Sequence, residues 1–262
     1  MTRYLQLFAI QVRASLLLAL QYRLDFFLQF GIAIFWSTST LVPLWVLFSQ
    51  RPGVAGWSWP EALVVVGFFL ALKGVLATVI QPAVAQAVSH VRNGTLDFVL
   101  LKPADAQFLV STAHFELARL ADLAGGLALV AFASWRLGEP IPPTAIAVSL
   151  LLFAGAVAIL YSLFVLVLSL AFYFVKVDNL SFLLSSIFDA ARWPSSVFRG
   201  VLALLFTFVI PLALMTTYPA LALLGRIDSA RVAIALGIAS AFLVLSRLAW
   251  RRAVRQYTSA GG

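Results

Sequence analysis

From Ile146 to Phe172 the chain carries no charged residue, and a segment so long and so apolar has few folds open to it. A helix crossing a bilayer needs about 20 mostly apolar residues, so this stretch reads as a membrane span. Comparable stretches run from Phe27 to Phe48, Ala62 to Ile80, about Asp122 to Trp135, and Val232 to Trp250. Across all 262 residues, 63% are hydrophobic and 11% charged, with a mean hydropathy of +1.02. Too little polar surface remains to cover a soluble globule. Gly53, Pro60, Gly94, Pro103, Gly138, Pro140 and Pro142 punctuate the joins, as helix breakers should. Period-two alternation is missing, which argues against a β-barrel. The expected class is an all-α integral membrane protein.

The net charge of +8 does not point to nucleic acid, because the basic residues sit singly beside apolar segments. They fit membrane boundaries, where Lys and Arg favour the cytoplasmic side. Arg3, Arg13 and Arg23 precede the first span, Arg92, Lys102 and Arg119 flank one join, and Arg247, Arg251, Arg252 and Arg255 close the last span. These clusters belong inside, and the joins holding Arg51, Arg136, Glu139, Arg226 and Asp228 then face outward, with Trp57, Trp59 and Trp135 as interfacial anchors. Both termini are therefore expected in the cytoplasm, which requires an even number of crossings. Either Asn179–Trp193 or Val201–Leu224 can supply the fifth, but not both. Pro211 and Pro219 interrupt the second, so it also reads as a re-entrant hairpin.

The first segment, 1–24, places Arg3, Gln6, Arg13 and Gln21 on one stripe, interrupted by Ile10 and Leu17, and is expected to lie along the inner interface, the alternative being a plain extension of the first helix. Arg13 inside its apolar run and the lack of an A-x-A-like site argue that it stays in the mature protein.

Catalytic signatures are few. The lysines are Lys73, Lys102 and Lys176, and none follows a glycine, so no P-loop is present. HExxH and GxSxG are missing too, and with no cysteine, His90 and His114 make a poor metal set. Ion-coupled carriers place a carboxylate or His at membrane depth; only Glu116, Asp122 and Asp189 are arguable here. Glu116, Arg119 and Asp122 at i, i+3, i+6 read as a charge ladder on one helix face, either pairing structurally or serving in gating. Asp189 and Arg192 repeat the i, i+3 pairing. Lys73 falls near mid-span, where an unpaired ammonium costs ~3 kcal/mol or more. It should face a cavity, a partner subunit or a carboxylate. Small residues at Ala121 and Gly125, and at Ala233, Gly237 and Ala241, would permit close helix approach.

One loop stands apart: "HVRNGTLDFVLLKPADAQ", residues 90–107. Gly94 can end the helix leaving the membrane, Thr95 can cap a short new one, and Asp97 suits that helix's positive end. "LDFVLL" then forms an apolar turn or two, stopped before Pro103. A short, capped, greasy helix in a cytoplasmic loop wants a protein groove, the alternative being a helix that lies on the lipid headgroups.

"YRLDF" at Tyr22–Phe26, "NGTLDFVLLKP" at Asn93–Pro103 and "RWPSSVFRGVLALLFTFVIPLALMTTYPALALLG" at Arg192–Gly225 together resemble the type-2 ABC transporter permeases, six-span bacterial membrane subunits of about this length. The resemblance implies a single permease domain paired with a separate ATPase that holds ATP and Mg, this chain binding no cofactor. It implies a coupling helix in which Asn93, Gly94, Leu96, Asp97, Phe98, Leu100, Lys102 and Pro103 meet that ATPase. Residues 179–193 would be the fifth crossing and 194–225 a re-entrant hairpin on the outer side. Lys73, Glu116, Arg119 and Asp122 are candidates for gating or a substrate path. The expected partners are the ATPase, a second copy or sister permease, and membrane lipids, with no nucleic acid. The expected setting is the bacterial inner membrane, and the expected role export of a hydrophobic or amphiphilic substrate. An ion-coupled carrier and a membrane scaffold or assembly factor are the alternatives.

Overall fold

The described parts of the apolar runs are helical, and prolines explain where the helices deviate. In a computed structural model, residues 2–51, 53–138, 140–173, 178–197, 200 and 211–257 are described. Helix α1 spans Thr2–Gln21. Helix α2, Arg23–Ser39, continues after a break at Thr40 into α3, Leu41–Gln50. The break falls there because Pro43 has no N–H for the carbonyl four positions back. Hydroxyls of Thr38, Ser39 and Thr40 donate to carbonyls one turn earlier, at 2.7–2.9 Å, which satisfies them in an apolar setting.

Helix α4 (Trp59–Val75), a π turn (Leu76–Ile80) and α5 (Gln81–Arg92) form one long rod. Its start carries a capping box, the Ser58 N–H donating to Glu61 at 2.8 Å. A second π turn, Ala213–Thr217, precedes α11 (Tyr218–Leu223). Both π turns end two residues before a proline, Pro82 and Pro219, whose missing N–H disrupts the ordinary ladder. Helices α6 (Asp97–Leu100) and α7 (Ala106–Ser111) lie in the join to α8 (Leu120–Leu137), which Gly138 ends at φ +73°. Helix α9 spans Pro143–Leu170, α10 spans Asp178–Phe188 with 3₁₀ turns at Asp189–Arg192 and Ser195–Val197, and α12 spans Ser229–Arg255. Among the described residues there is no strand, only an isolated bridge between Val54 and Trp57.

Six helical stretches are long and apolar enough to cross a membrane: 3–21, 23–50, 59–92, 117–137, 143–170 and 229–255. The chain is thus an all-α integral membrane protein. The 3–21 stretch, read from sequence as interfacial, qualifies by length and composition, and nearly all of it lies outside the core. It runs along the 105–115 segment. Tyr4 accepts from the Asp105 N–H at 3.3 Å, the Phe8 and Phe115 rings sit 5.6 Å apart, and Ser15 accepts from the Phe115 N–H at 3.1 Å.

The tightest seam joins α4 to α8. A Cβ on Gly67 would come within 2.6 Å of Val130 Cγ2, one on Gly126 within 2.7 Å of the Gly67 carbonyl, and one on Gly74 would run into the Leu123 backbone. Only glycine permits this approach. The expected small-residue positions Gly125 and Gly237 have open space around them; the seam lies one residue further on, at Gly126, because that is the face α8 turns to α4. The other main pairing packs α12 on α9.

Of the two candidates for the fifth crossing, Asn179–Trp193 is helical, α10 running on into the 3₁₀ turn at Asp189–Arg192, whereas Val201–Leu224 falls partly on 201–210, outside the described residues. What is described fixes both ends of the stretch that follows α10 to one end of α4. The Trp57 indole N–H donates to Ser196 Oγ at 3.1 Å, Ser196 Oγ donates to the Ala55 carbonyl at 3.2 Å, and Arg226 pairs with Glu61. Between them, Thr216 donates to the Ala191 carbonyl at 2.8 Å.

Candidate functional site

Two assemblies bring together the residues singled out by sequence. The first is the loop after α5. Gly94 at φ +66° turns the chain, and the Thr95 N–H returns to the His90 carbonyl at 3.0 Å, as expected for a glycine-ended helix. Thr95 does not cap α6. Its hydroxyl is 2.8 Å from His90 Nδ1, and α6 starts without a side-chain cap. The helix is a single turn with two faces. Leu96 is 0% exposed and Val99 buried, whereas Phe98 is 71% and Leu101 81% exposed. Asn93, Lys102 and Pro103 are exposed beside them; Gly94, Asp97 and Leu100 are half-buried. Leu96 is therefore not a surface contact, since its side chain completes this chain's own core. Leu101 was missed, although its position three after Phe98 places it on the same helical face.

This loop is firmly seated. Asp105 caps α7 by accepting from the Phe108 N–H at 3.0 Å, and takes a two-pronged interaction from Arg247 of α12. Arg247 also donates to Gln107 at 2.6 Å, Gln107 donates to the Tyr161 hydroxyl at 3.0 Å, and Tyr161 shares a 2.7 Å hydrogen bond with Ser111. The Arg247 guanidinium, and to a lesser extent the Phe108 N–H, hold the Asp105 carboxyl below its ordinary range against the opposing effect of burial. One network thus ties the loop to α9 and α12, while α1 braces it from outside.

The second assembly is an open groove of about 570 Å³ whose lining includes Lys73, Gln81, His114, Glu116, Arg119 and Asp122. Its floor is shaped by the first π turn. Pro82 offers no N–H to Thr78, and the Thr78 carbonyl accepts from the Glu116 N–H at 2.9 Å. Lys73, the mid-span cation, meets a carboxylate: Asp189 lies 3.7 Å away and also pairs with Arg192 at 3.6 Å. The Gln81 amide donates to Ser185 at 3.0 Å, so the α10 segment lies over this face.

The expected Glu116–Arg119–Asp122 ladder does not form. Glu116 precedes the helical turn with non-helical angles, φ −91° and ψ 82°, so the three do not share a continuous helical face. Each has another neighbour: Glu116 lies 3.9 Å from His114, Arg119 donates to Gln29 at 3.1 Å, and Asp122 accepts from Ser37. All of them nevertheless converge on the groove, together with Lys73. Among the described residues no cluster of three or more His, Asp or Glu is placed to hold a metal ion.

The family model described as "ABC-2 family transporter protein" matches residues 34–261. The chain belongs to this ABC-2 transporter family. No curated protein and no solved structure matches it. As an ABC-2 permease it is a multi-pass membrane subunit of a transporter. The family is generally non-catalytic, its ATPase being a separate subunit. The match begins within α2, so α1 belongs to this ABC-2 protein but lies outside the part that the family model covers.

Proposed function

We propose that this chain is the membrane subunit of an ATP-driven exporter of an amphiphilic substrate. It is powered by a separate P-loop ATPase, which carries ATP and Mg and docks on α6. The observation that carries this reading is the exposed Phe98–Leu101 face, an apolar knob on a loop clamped to α9 and α12. A groove in the ATPase would bury that knob, and displacement of the loop would pass through Arg247 and Tyr161 to the two helices. ATP supplies the energy by binding the transporter's states unequally. Asn93, Gly94, Asp97, Leu100, Lys102 and Pro103 frame the knob, and Leu96 anchors it from within. Two copies, or this chain and a sister permease, enclose the path.

In this reading both termini face the cytoplasm of a bacterial inner membrane, α1 lies on the inner interface, and 194–225 is re-entrant at the outer end. Attachment of Ser196 and Arg226 to the same end of α4 supports the hairpin. Export is supported by the short joins at that end, 51–58 and 138–142, which offer little for a substrate-delivering protein to grip.

The test is a pull-down from native membranes in mild detergent, comparing wild type with Phe98→Glu plus Leu101→Glu. A P-loop ATPase recovered with wild type and lost with the variant, at unchanged thermal stability, is the expected result. Equal recovery with both forms, or no ATPase with wild type while other membrane complexes survive, would overturn the reading.

A further inference from the structure

The groove described above is charged on walls that lie alongside two membrane spans. Charged side chains within such a span, as Lys73 is, or at its end, as Arg119 and Asp122 are, are costly to leave unpaired in an apolar medium and mark candidate ligand or ion paths. Its geometry depends on the π turn. Lys73 and Gln81 are eight positions apart, which on a regular helix leaves them about 80° out of line; one residue absorbed by the π turn reduces this to about 20°. The interruption therefore sets an ammonium and an amide along one face, and both line the groove.

The sign pattern narrows the ligand. On one side, Lys73 shares the single carboxylate of Asp189 with Arg192, both cations also lying over the neutral Phe69 ring at 5.9 and 5.7 Å, so two positive charges stand against one negative. Arg119 meets the neutral Gln29 amide, and Asp122 meets the neutral Ser37 hydroxyl. Among the described residues, Glu116 has the imidazole of His114 as its ionic neighbour, at 3.9 Å. Both signs are thus incompletely matched within the same cavity. A singly charged ligand would satisfy one wall and leave the other uncompensated, whereas a ligand carrying both charges satisfies both. Beyond His114 and Glu116, which line both spaces, lies a second, mostly apolar pocket of about 310 Å³ whose lining includes Leu18, Phe26 and Phe115, with Ser15, Tyr22 and Asp25 as its other polar residues.

Resting on the permease reading, we propose that the groove binds the zwitterionic head group of an amphiphilic cargo. The acidic group of the head faces Lys73 and Arg119, its ammonium faces Glu116 and Asp122, and the adjoining apolar pocket receives the start of the tail. The same chemistry could belong to a resident membrane lipid, and the test has an arm for each source.

The probes are three amphiphiles with one fluorescent acyl chain and different heads: phosphocholine, phosphoglycerol and trimethylammonium. They are titrated into the full-length chain in maltoside micelles. The zwitterion is expected to bind about tenfold tighter than either singly charged probe. Arg119→Gln should shift the order toward the cation and Asp122→Asn toward the anion. Because Asp122 is buried against Ser37, Glu116→Gln serves as a second variant of the same wall, and melting curves confirm folding. Equal affinities in wild type, or an order unmoved by Arg119→Gln and Glu116→Gln, would overturn the assignment. In proteoliposomes with the ATPase, ATP-dependent movement of the phosphocholine probe between leaflets supports cargo. Tight binding without movement identifies a resident lipid and overturns the cargo assignment. A failed ATPase pull-down sinks the permease reading without touching head-group selectivity, and flat selectivity sinks the groove without touching the pull-down.

Discussion

Helix α4 carries two opposite solutions to life in an apolar medium. Towards α8 it presents Gly67 and Gly74, and with no side chain on α4's own side there the backbone of α8, at Val130 and Leu123, comes within the reach of a Cβ. Its groove face carries Lys73 and, past the π turn, Gln81, linked to Asp189 and Ser185 across a space large enough for a ligand. The glycine face derives its strength from close van der Waals contact, which tolerates no added atom. The groove face is held by polar pairs at 3.0–3.7 Å, which in the proposed reading are exchanged for a ligand's groups. Rigidity on one face is what lets the other keep its shape while open.

The largest effect is expected at the seam. Gly126→Leu or Gly74→Leu places side-chain atoms inside a neighbouring backbone, which cannot give way as a side chain can, so the cost exceeds that of ordinary overpacking and prevents the seam from closing; loss of the monodisperse peak in size-exclusion chromatography would show it. A variant that remains monodisperse with an unchanged melting temperature would break the comparison. Leu96→Ala comes next. It empties a fully buried site at a cost of about 2–5 kcal/mol, while Phe98→Ala, one turn face away, should stay within about 0.5 kcal/mol; thermal melts of the pair sharpen the distinction between anchor and knob.

Arg247→Gln should act more weakly and with a pH signature. The guanidinium lowers the Asp105 pKa, so the ionised pair stabilises the fold at neutral pH. That contribution is complete above the ordinary carboxylate range and fades as pH falls through the lowered folded value. The side chains are about a third exposed, so the contribution stays below about 1 kcal/mol after solvent screening. Wild type should melt higher than Arg247→Gln at pH 7, with the two curves converging below about pH 4; parallel curves would place the Arg247 contribution elsewhere. Smallest of all, Gly125→Ala meets open space and should shift stability by less than about 0.5 kcal/mol. A larger loss would reveal a second seam, one helix position from the first.

Much of this was legible in the residues. The apolar runs announced five of the six candidate spans, all but 3–21, Gly94 announced the end of α5, and Asp189 with Arg192 formed the i, i+3 pair their spacing suggested. The need of Lys73 for a carboxylate, cavity or partner was also readable, but not which carboxylate, because Asp189 is remote in sequence. The ladder failed because Glu116 sits outside helical geometry, and Thr95 failed as a cap because His90 competes for its hydroxyl.

By itself, then, the sequence determined the medium and the material: helices in a bilayer, basic boundaries, one greasy loop without a P-loop to power it. Those properties sum over residues, and summation survives ignorance of the fold. Only the tertiary structure decided that Leu96 points in while Phe98 and Leu101 point out, that Gly126 rather than Gly125 touches α4, and that Lys73 and Gln81 share a face. Each of those outcomes turns on helix rotation, where one residue is about 100°, and rotation is set by what the neighbouring helices press against.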